Sequence, residues 1–92
     1  MSLRFPPRLQ SDQAREVLDA LRRELLPAQT QSVSLADLQT FDSSALAVML
    51  DLQRSAQAHA GQVSWHDVPP RMQALAQLYG VDAVLGMASA AS

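Results

Sequence analysis

The segment that joins a strand pattern to a helix pattern reads Leu38-Gln39-Thr40-Phe41-Asp42-Ser43-Ser44-Ala45-Leu46. An apolar-alternating run that predicts a buried strand ends at Leu38. A short polar turn follows, and a long helix pattern then opens on an acid and two serines. The segment therefore presents two hydroxyl groups at the positive end of a helix, where they can form a cap, a docking site or a phosphorylation site.

The helix that starts here, predicted from about Ser43 to Ala60, carries two apolar stripes. The first stripe contains Ala45, Met49, Leu52, Ala56 and Ala60, and the second contains Leu46 and Leu50. A helix that covers one face of a sheet needs a single stripe, so we expect this helix to be buried on more than one side. Two interpretations are open: neighbouring helices bury the second stripe, or a partner protein does.

Strand and helix patterns alternate on both sides of this helix. Before it we predict an edge strand at Leu3 to Phe5 within residues 1–10, a helix from an N-cap at Ser11 to a stop at Pro27, and a strand from Gln31 to Leu38. After it we predict a left-handed cap at Gly61, a strand from Gln62 to His66, a helix from Arg71 to Tyr79 ending at Gly80, and a short strand or helical turn from Val81 to Leu85. Residues 87–92 are expected to be a frayed tail.

This order predicts an α/β fold in which helices flank a mixed, mostly parallel sheet. The chain has 92 residues, which is enough for one small domain, so we assign residues 1–92 to a single domain.

The charge balance and composition exclude several classes of function. The net charge of -2 gives no electrostatic footprint for nucleic acid or for a basic membrane-surface module. The absence of cysteine excludes disulfides, thiolate metal sites and a cysteine nucleophile. The N-terminus lacks the apolar stretch of a secretory signal, and the longest apolar run, Ala45 to Leu50, is too short to span a bilayer. We therefore expect a cytoplasmic protein without a cofactor or a metal.

A hydrolytic site is the remaining catalytic possibility, with Ser43 as nucleophile and His66-Asp67 as base and orienter. The sequence contains neither a Gly-x-Ser-x-Gly elbow nor a Gly-rich phosphate loop, so this interpretation is disfavoured. His59 and His66 have no partners at zinc-ligand spacing. Trp65 and Tyr79 are predicted to pack in or beside the core.

Two stretches resemble the signature of STAS domains, a family that includes the anti-sigma-factor antagonists: Val33-Ser34-Leu35-Ala36-Asp37-Leu38 and Phe41-Asp42-Ser43-Ser44-Ala45-Leu46-Ala47-Val48-Met49-Leu50. The family pattern is a strand, an Asp-Ser-Ser-Gly or Asp-Thr-Gly-Gly turn, and an apolar helix start. Ala45 stands where the family usually has glycine. The segments 61–68 and 71–81 are similar to the small STAS subunit of the bacterial Mla phospholipid-transport ABC complexes.

The resemblance implies a protein-binding role without catalysis. It places Ser43 at the family's phosphorylatable or partner-contacting hydroxyl, with Ser44 as a possible substitute, Asp42 shaping the turn and Thr40 beside it. We add Leu46, from the apolar helix start, to the predicted binding surface. In the Mla-like case the partner is the cytoplasmic ATPase subunit, whose assembly and activity the domain supports. In the antagonist case an anti-sigma kinase phosphorylates Ser43 and binding is lost. Neither case involves nucleic acid or insertion into a membrane.

Overall fold

The computed structural model describes residues 3–86. Its elements follow in the order β1 Leu3–Arg4, β2 Arg8–Leu9, α1 Ala14–Arg23, β3 Thr30–Ser34, β4 Thr40–Phe41, α2 Ser43–Ala58, β5 Gln62–His66 and α3 Pro70–Leu78. The main sheet is parallel, with the strand order β1-β3-β5. The predicted α/β fold is therefore confirmed. The expected frayed tail, residues 87–92, lies outside the described residues.

Strand β3 is the centre of the main sheet and its most buried strand. Val33 is aligned with Leu3 of β1 on one side and with Trp65 of β5 on the other, and its side chain is fully buried. The edge strand predicted at Leu3 to Phe5 is present as β1, which among residues 3–86 pairs with β3 alone. The backbone N–H of Phe5 continues this pairing by donating to the carbonyl of Ser34 at 3.0 Å.

A second, two-stranded parallel sheet was not predicted from the sequence. It pairs β2 with β4, and it aligns Arg8 with Thr40 and Leu9 with Phe41. The backbone N–H groups of Gln39 and Thr40 also donate to the carbonyl of Pro7, at 2.8 and 3.0 Å. Strands of two residues are too short to show a period in sequence. Their pairing ties the segment that leads into α2 to the N-terminal segment of the chain.

Helix α2 lies at the centre of the domain, in contact with α1, α3 and β5. Its fully or nearly fully buried side chains are Ala45, Leu46, Val48, Met49, Leu52, Gln53 and Ala56. Neighbouring elements thus bury most of both stripes, which favours the first of the two interpretations. At the outer edge, Leu50 is half-buried and Ala47 is exposed, so a small apolar surface is left at the start of the helix.

Helix α1 begins later than expected, at Ala14, so the prediction of Ser11 as its N-cap was wrong. The N-cap residue is Gln13, and its side chain makes no capping hydrogen bond. The backbone N–H of Ser11 donates instead to Oδ2 of Asp42, at 3.3 Å. Residues 11–13 form a turn before the helix, and in it the N–H of Gln13 donates to the carbonyl of Gln10 at 2.9 Å.

Strand β3 ends at Ser34, four residues before the predicted end at Leu38. The hydroxyl of Ser34 accepts a hydrogen bond from the N–H of Ala36 at 3.2 Å, which turns the chain out of the sheet. Leu35 and Leu38 are nevertheless buried. The apolar alternation of the sequence extends beyond Ser34 because the turn, like the strand, contributes side chains to the core.

The end of α2 also differs from the prediction. The helix stops at Ala58, and the left-handed residue after it is Ala60, with a φ of 61°. The assignment of Gly61 as the left-handed cap was therefore wrong. Glycine is required at position 61 for another reason: a Cβ there would lie 2.8 Å from the carbonyl oxygen of Gln29.

The C-terminal elements follow the prediction more closely. Strand β5 has the predicted bounds, and α3 is shifted by one residue to Pro70–Leu78. Gly80 adopts a φ of 71°, and a helical turn follows, in which the N–H of Leu85 donates to the carbonyl of Val81 at 3.0 Å.

The two large aromatic residues have different environments. Trp65 packs beside the core as predicted, edge-on to Phe5 with ring centroids 5.9 Å apart. Its Nε1–H donates to the side-chain oxygen of the buried Gln53 at 3.0 Å. The prediction that Tyr79 packs in or beside the core was wrong, since 58% of its surface is exposed. It follows the last residue of α3, where the chain turns and no other element among residues 3–86 covers it.

Candidate functional site

The start of α2 is capped by Asp42. Asp42 has extended backbone angles, with φ at -128° and ψ at -167°, and its Oδ1 accepts a hydrogen bond from the N–H of Ser44 at 2.8 Å. Its other oxygen accepts the N–H of Ser11. The hydrogen bond from the Ser44 backbone is the main reason that the pKa of Asp42 is lowered, and partial burial opposes it. The carboxylate therefore carries its negative charge at neutral pH.

The two serines that follow have different surroundings. Ser43 is the first residue of α2 and is exposed, and within residues 3–86 its hydroxyl has no hydrogen-bond partner. Ser44 is half-buried, and its backbone N–H donates to Asp42. Asp42 and Ser44 thus form the cap, which leaves the hydroxyl of Ser43 available to another molecule.

Thr40 and Leu46 lie on either side of this cap. Thr40 is exposed on β4, where it is paired with Arg8. Leu46 is only 3% exposed and belongs to the core. One edge of Leu46 nevertheless lines a surface groove, so it contributes to both the core and the surface.

The groove begins at Ser43 and has a volume of about 380 Å³. We call it the α2 groove. It is lined by Ser43, Leu46, Ala47, Leu50, Tyr79 and Val81. At the end of α3, directly before the lining residue Tyr79, Leu78 is 78% exposed. Apart from the hydroxyls of Ser43 and Tyr79, the side chains that line the groove are apolar, which suits the apolar face of another protein.

A comparison with protein-family models places this geometry in a known family. The model for the MlaB STAS domain matches residues 3–87. The chain belongs to the MlaB-like STAS domain family. Members of this family generally act through contacts with other proteins. A search of curated proteins finds no match to this STAS domain.

The position where STAS domains usually have glycine is fully buried here. Ala45 is 0% exposed, and its N–H donates to the carbonyl of Asp42 at 3.0 Å in the first turn. Its methyl group packs in the core. Alanine in this STAS domain therefore fills a space below the helix start without entering the exposed surface around Ser43.

The alternative hydrolytic site is not assembled in this STAS domain. Nε2 of His66 lies 3.0 Å from the hydroxyl of Ser64, and Asp67 accepts a hydrogen bond from the hydroxyl of Ser34 at 3.2 Å. Within residues 3–86 neither side chain bonds to Ser43. The same residues contain no cluster of three or more side chains suited to a metal ion.

The described part of the STAS domain contains no helix that is both long and apolar enough to cross a bilayer. A hollow of about 460 Å³ lies along β5 and is lined by Val63, Trp65, Val68 and Gln73 among others. None of the predicted site residues lines this hollow.

Sequence reasoning missed the contribution of α3 and the turn after it to the site. Tyr79 and Val81 line the α2 groove, although the helical spacing of Tyr79 suggested a buried residue. Arg71 was also missed: its guanidinium carbon lies 5.2 Å from the centre of the Phe41 ring. The available signal was the pair Leu78-Tyr79, two large apolar residues at a helix end just before Gly80.

Proposed function

We propose that this STAS domain is the accessory subunit that docks on the cytoplasmic ATPase of a lipid-transport ABC system and supports its assembly and activity. In this role it catalyses no reaction itself and is held at the cytoplasmic face of the membrane through its partner. The observation that carries the proposal is the apolar α2 groove beside an exposed, unbonded hydroxyl at Ser43.

Burial of exposed apolar surface supplies a driving force for docking. Leu78 and Tyr79 are 78% and 58% exposed, and covering a large apolar side chain stabilises a complex by roughly 2 kcal/mol. Tyr79 lines the groove, and Leu78 precedes it at the end of α3. A partner that covers it also excludes water from Ser43, so the hydroxyl needs a hydrogen-bond partner from the other protein.

The position of Ser43 at a helix start supports a role in recognition. The first turn of α2 carries the positive end of the helix dipole, and its Ser44 and Ala45 N–H groups are already bonded to Asp42. Asp42 satisfies the N–H of Ser44, so a partner group at Ser43 can bond to the hydroxyl without disrupting the cap. Recognition at this point leaves the domain folded as it is.

Co-purification tests the proposal. A tagged copy expressed in its native host is expected to retain the nucleotide-binding subunit of a lipid-transport ABC system, and the purified pair should hydrolyse ATP faster than that subunit alone. A tagged Ala47→Asp variant is the matched control, since Ala47 is exposed in the groove. Recovery of only a serine kinase or a sigma regulator would contradict the proposal.

A second candidate function is an anti-sigma-factor antagonist that is switched by phosphorylation at Ser43. The exposed hydroxyl of Ser43, which takes no part in the cap, favours it. A phosphate there adds close to two negative charges at a helix start without unfolding it. The test is intact-mass measurement after incubation with an active cognate kinase and ATP. An unchanged mass removes this candidate.

A further inference from the structure

Arg71 differs from most arginines of the domain in the group that its guanidinium contacts. The chain has no lysine, so its seven basic residues are all arginines. Four of them, Arg4, Arg8, Arg22 and Arg54, have a carboxylate within 4.0 Å. Within residues 3–86 Arg71 has none, and its guanidinium lies over the ring of Phe41 at 5.2 Å. The aromatic face restrains the cation while leaving its N–H groups unpaired.

The position of Arg71 relates it to the α2 groove. Phe41 precedes the groove residue Ser43 by two residues, so the guanidinium over its ring lies near the start of α2, outside the set of residues that line the groove. Along α3, Arg71, Leu75 and Leu78 have the spacing i, i+4 and i+7, which places them on one helix face about 10 Å in length. This face has a cation at one end and the most exposed leucine of the domain at the other.

We propose that the α2 groove and this face of α3 bind an amphipathic helix of the partner whose carboxylate pairs with Arg71. This inference rests on the proposed function and specifies the chemistry of the partner. A helix with aliphatic side chains at i, i+3 or i+4, and i+7 fits an apolar groove of this kind. The planar guanidinium fork matches a carboxylate in two parallel hydrogen bonds.

The charge of the domain makes the position of that carboxylate specific. The net charge is -2, and the ionised Asp42 lies directly before Ser43 at the same end of the groove. A partner carboxylate placed elsewhere along the groove finds no unpaired cation among the lining residues. Arg71 therefore fixes the direction in which the partner helix lies, with its acidic end beside Phe41 and its aliphatic side chains toward Leu78.

The test is a titration of the purified ATPase subunit of the lipid-transport ABC system from the same organism. Three forms of the chain are compared: wild type, Arg71→Glu and, as the matched control, Arg23→Glu, which reverses the charge of an exposed arginine on α1. We expect Kd to rise at least tenfold for Arg71→Glu and less than twofold for Arg23→Glu. Arg71→Gln should fall between wild type and Arg71→Glu, and circular dichroism should show that all variants are folded.

Charge reversal of the acidic residues of the ATPase subunit, one at a time to arginine, then identifies the partner group. One such reversal should restore the affinity of Arg71→Glu at least fivefold while weakening wild type. Equal affinities of Arg71→Glu and Arg23→Glu, or no restoring reversal, would overturn this inference and leave the proposed function in place. A wild-type chain that fails to bind the ATPase subunit would overturn both.

Discussion

The carboxylate of Asp42 accepts the backbone N–H of Ser44 at 2.8 Å, and this contact separates the structural role of the helix start from its recognition role. Asp42 and Ser44 cap α2, while Ser43 between them is exposed. The motif thus combines a structural pair with a free hydroxyl. Substitutions at these neighbouring positions should therefore have different effects.

The Asp42→Ala variant should be less stable than wild type, because it loses the acceptor for the N–H of Ser44. Asp42→Asn keeps an oxygen acceptor and should lose less stability than Asp42→Ala. Urea unfolding at pH 7, with the midpoints of the three proteins compared, checks this. Equal midpoints for wild type and Asp42→Ala would contradict it.

The hydrogen bond between Asp42 and Ser44 makes the stability of the domain depend on pH. The pKa of Asp42 is lowered from its ordinary value of 3.8 by the hydrogen bonds that it accepts, so its charged form stabilises the folded state. The stability difference between wild type and Asp42→Ala should be complete above pH 3.8 and should shrink as the pH falls through the lower folded-state pKa. A stability difference that grows as the pH falls would contradict a lowered pKa for Asp42.

The Ser43→Glu variant should bind the ATPase subunit more weakly while remaining folded. A negative charge is tolerated at a helix start, but here it adds to the charge of Asp42 and repels the partner carboxylate that we propose. We expect Kd to rise at least tenfold by calorimetric titration, with a melting temperature close to that of wild type. Ser43→Ala, which removes the hydroxyl without adding charge, is the control and should lose less affinity.

The Leu46→Asp variant should unfold the domain, since only 3% of Leu46 is exposed. Sequence alone left open whether this change damages the fold or the surface. Leu46→Ala should cost about 2–5 kcal/mol of unfolding free energy. Ala47→Asp places the same acid on the exposed neighbouring position in the groove, and it should keep the fold and lose binding. Circular dichroism and titration of both variants distinguish the two effects.

The Leu78→Asp variant should weaken binding at least tenfold without changing stability by more than about 0.5 kcal/mol, because Leu78 is 78% exposed. The matched control is Leu26→Asp, another exposed leucine, on the segment after α1. Loss of affinity in both variants would indicate a general effect of charge rather than docking at α3.

Two adjacent substitutions at the end of α2 should have opposite effects. Ala60→Gly removes the strain of a non-glycine residue at a φ of 61° and should stabilise the domain by up to about 1 kcal/mol. Gly61→Ala should destabilise it, since the new Cβ would lie 2.8 Å from the carbonyl oxygen of Gln29. Thermal melts of the two variants, recorded beside wild type, measure both effects.

The sequence predicted those elements whose signals are local. Strand β5 was predicted with its observed bounds because its alternation lies between a glycine and a proline-rich turn. The start of α2 was predicted because an acid and two serines precede an apolar run. The exposed Ser43 and the apolar helix beside it followed from the same segment.

Contacts between distant segments account for what the sequence did not predict. The late start of α1 accompanies the bond from Ser11 to Asp42, across 31 residues. The pairing of β2 with β4 joins two segments that each lack a periodic pattern. The exposure of Tyr79 depends on which elements fail to cover the end of α3, and helical spacing carries no information about that.

The small β2–β4 sheet limits how the Asp42-Ser43-Ser44 helix start can be grafted onto another protein. The Pro7 carbonyl and the Ser11 N–H form hydrogen bonds with the segment that leads into Ser43. The orientation of the Ser43 hydroxyl is therefore set partly by the N-terminal residues of the domain. A strand–helix fragment cut out at Thr30 would keep every residue of the signature and lose its scaffold. The smallest graftable unit therefore extends back to the first strand.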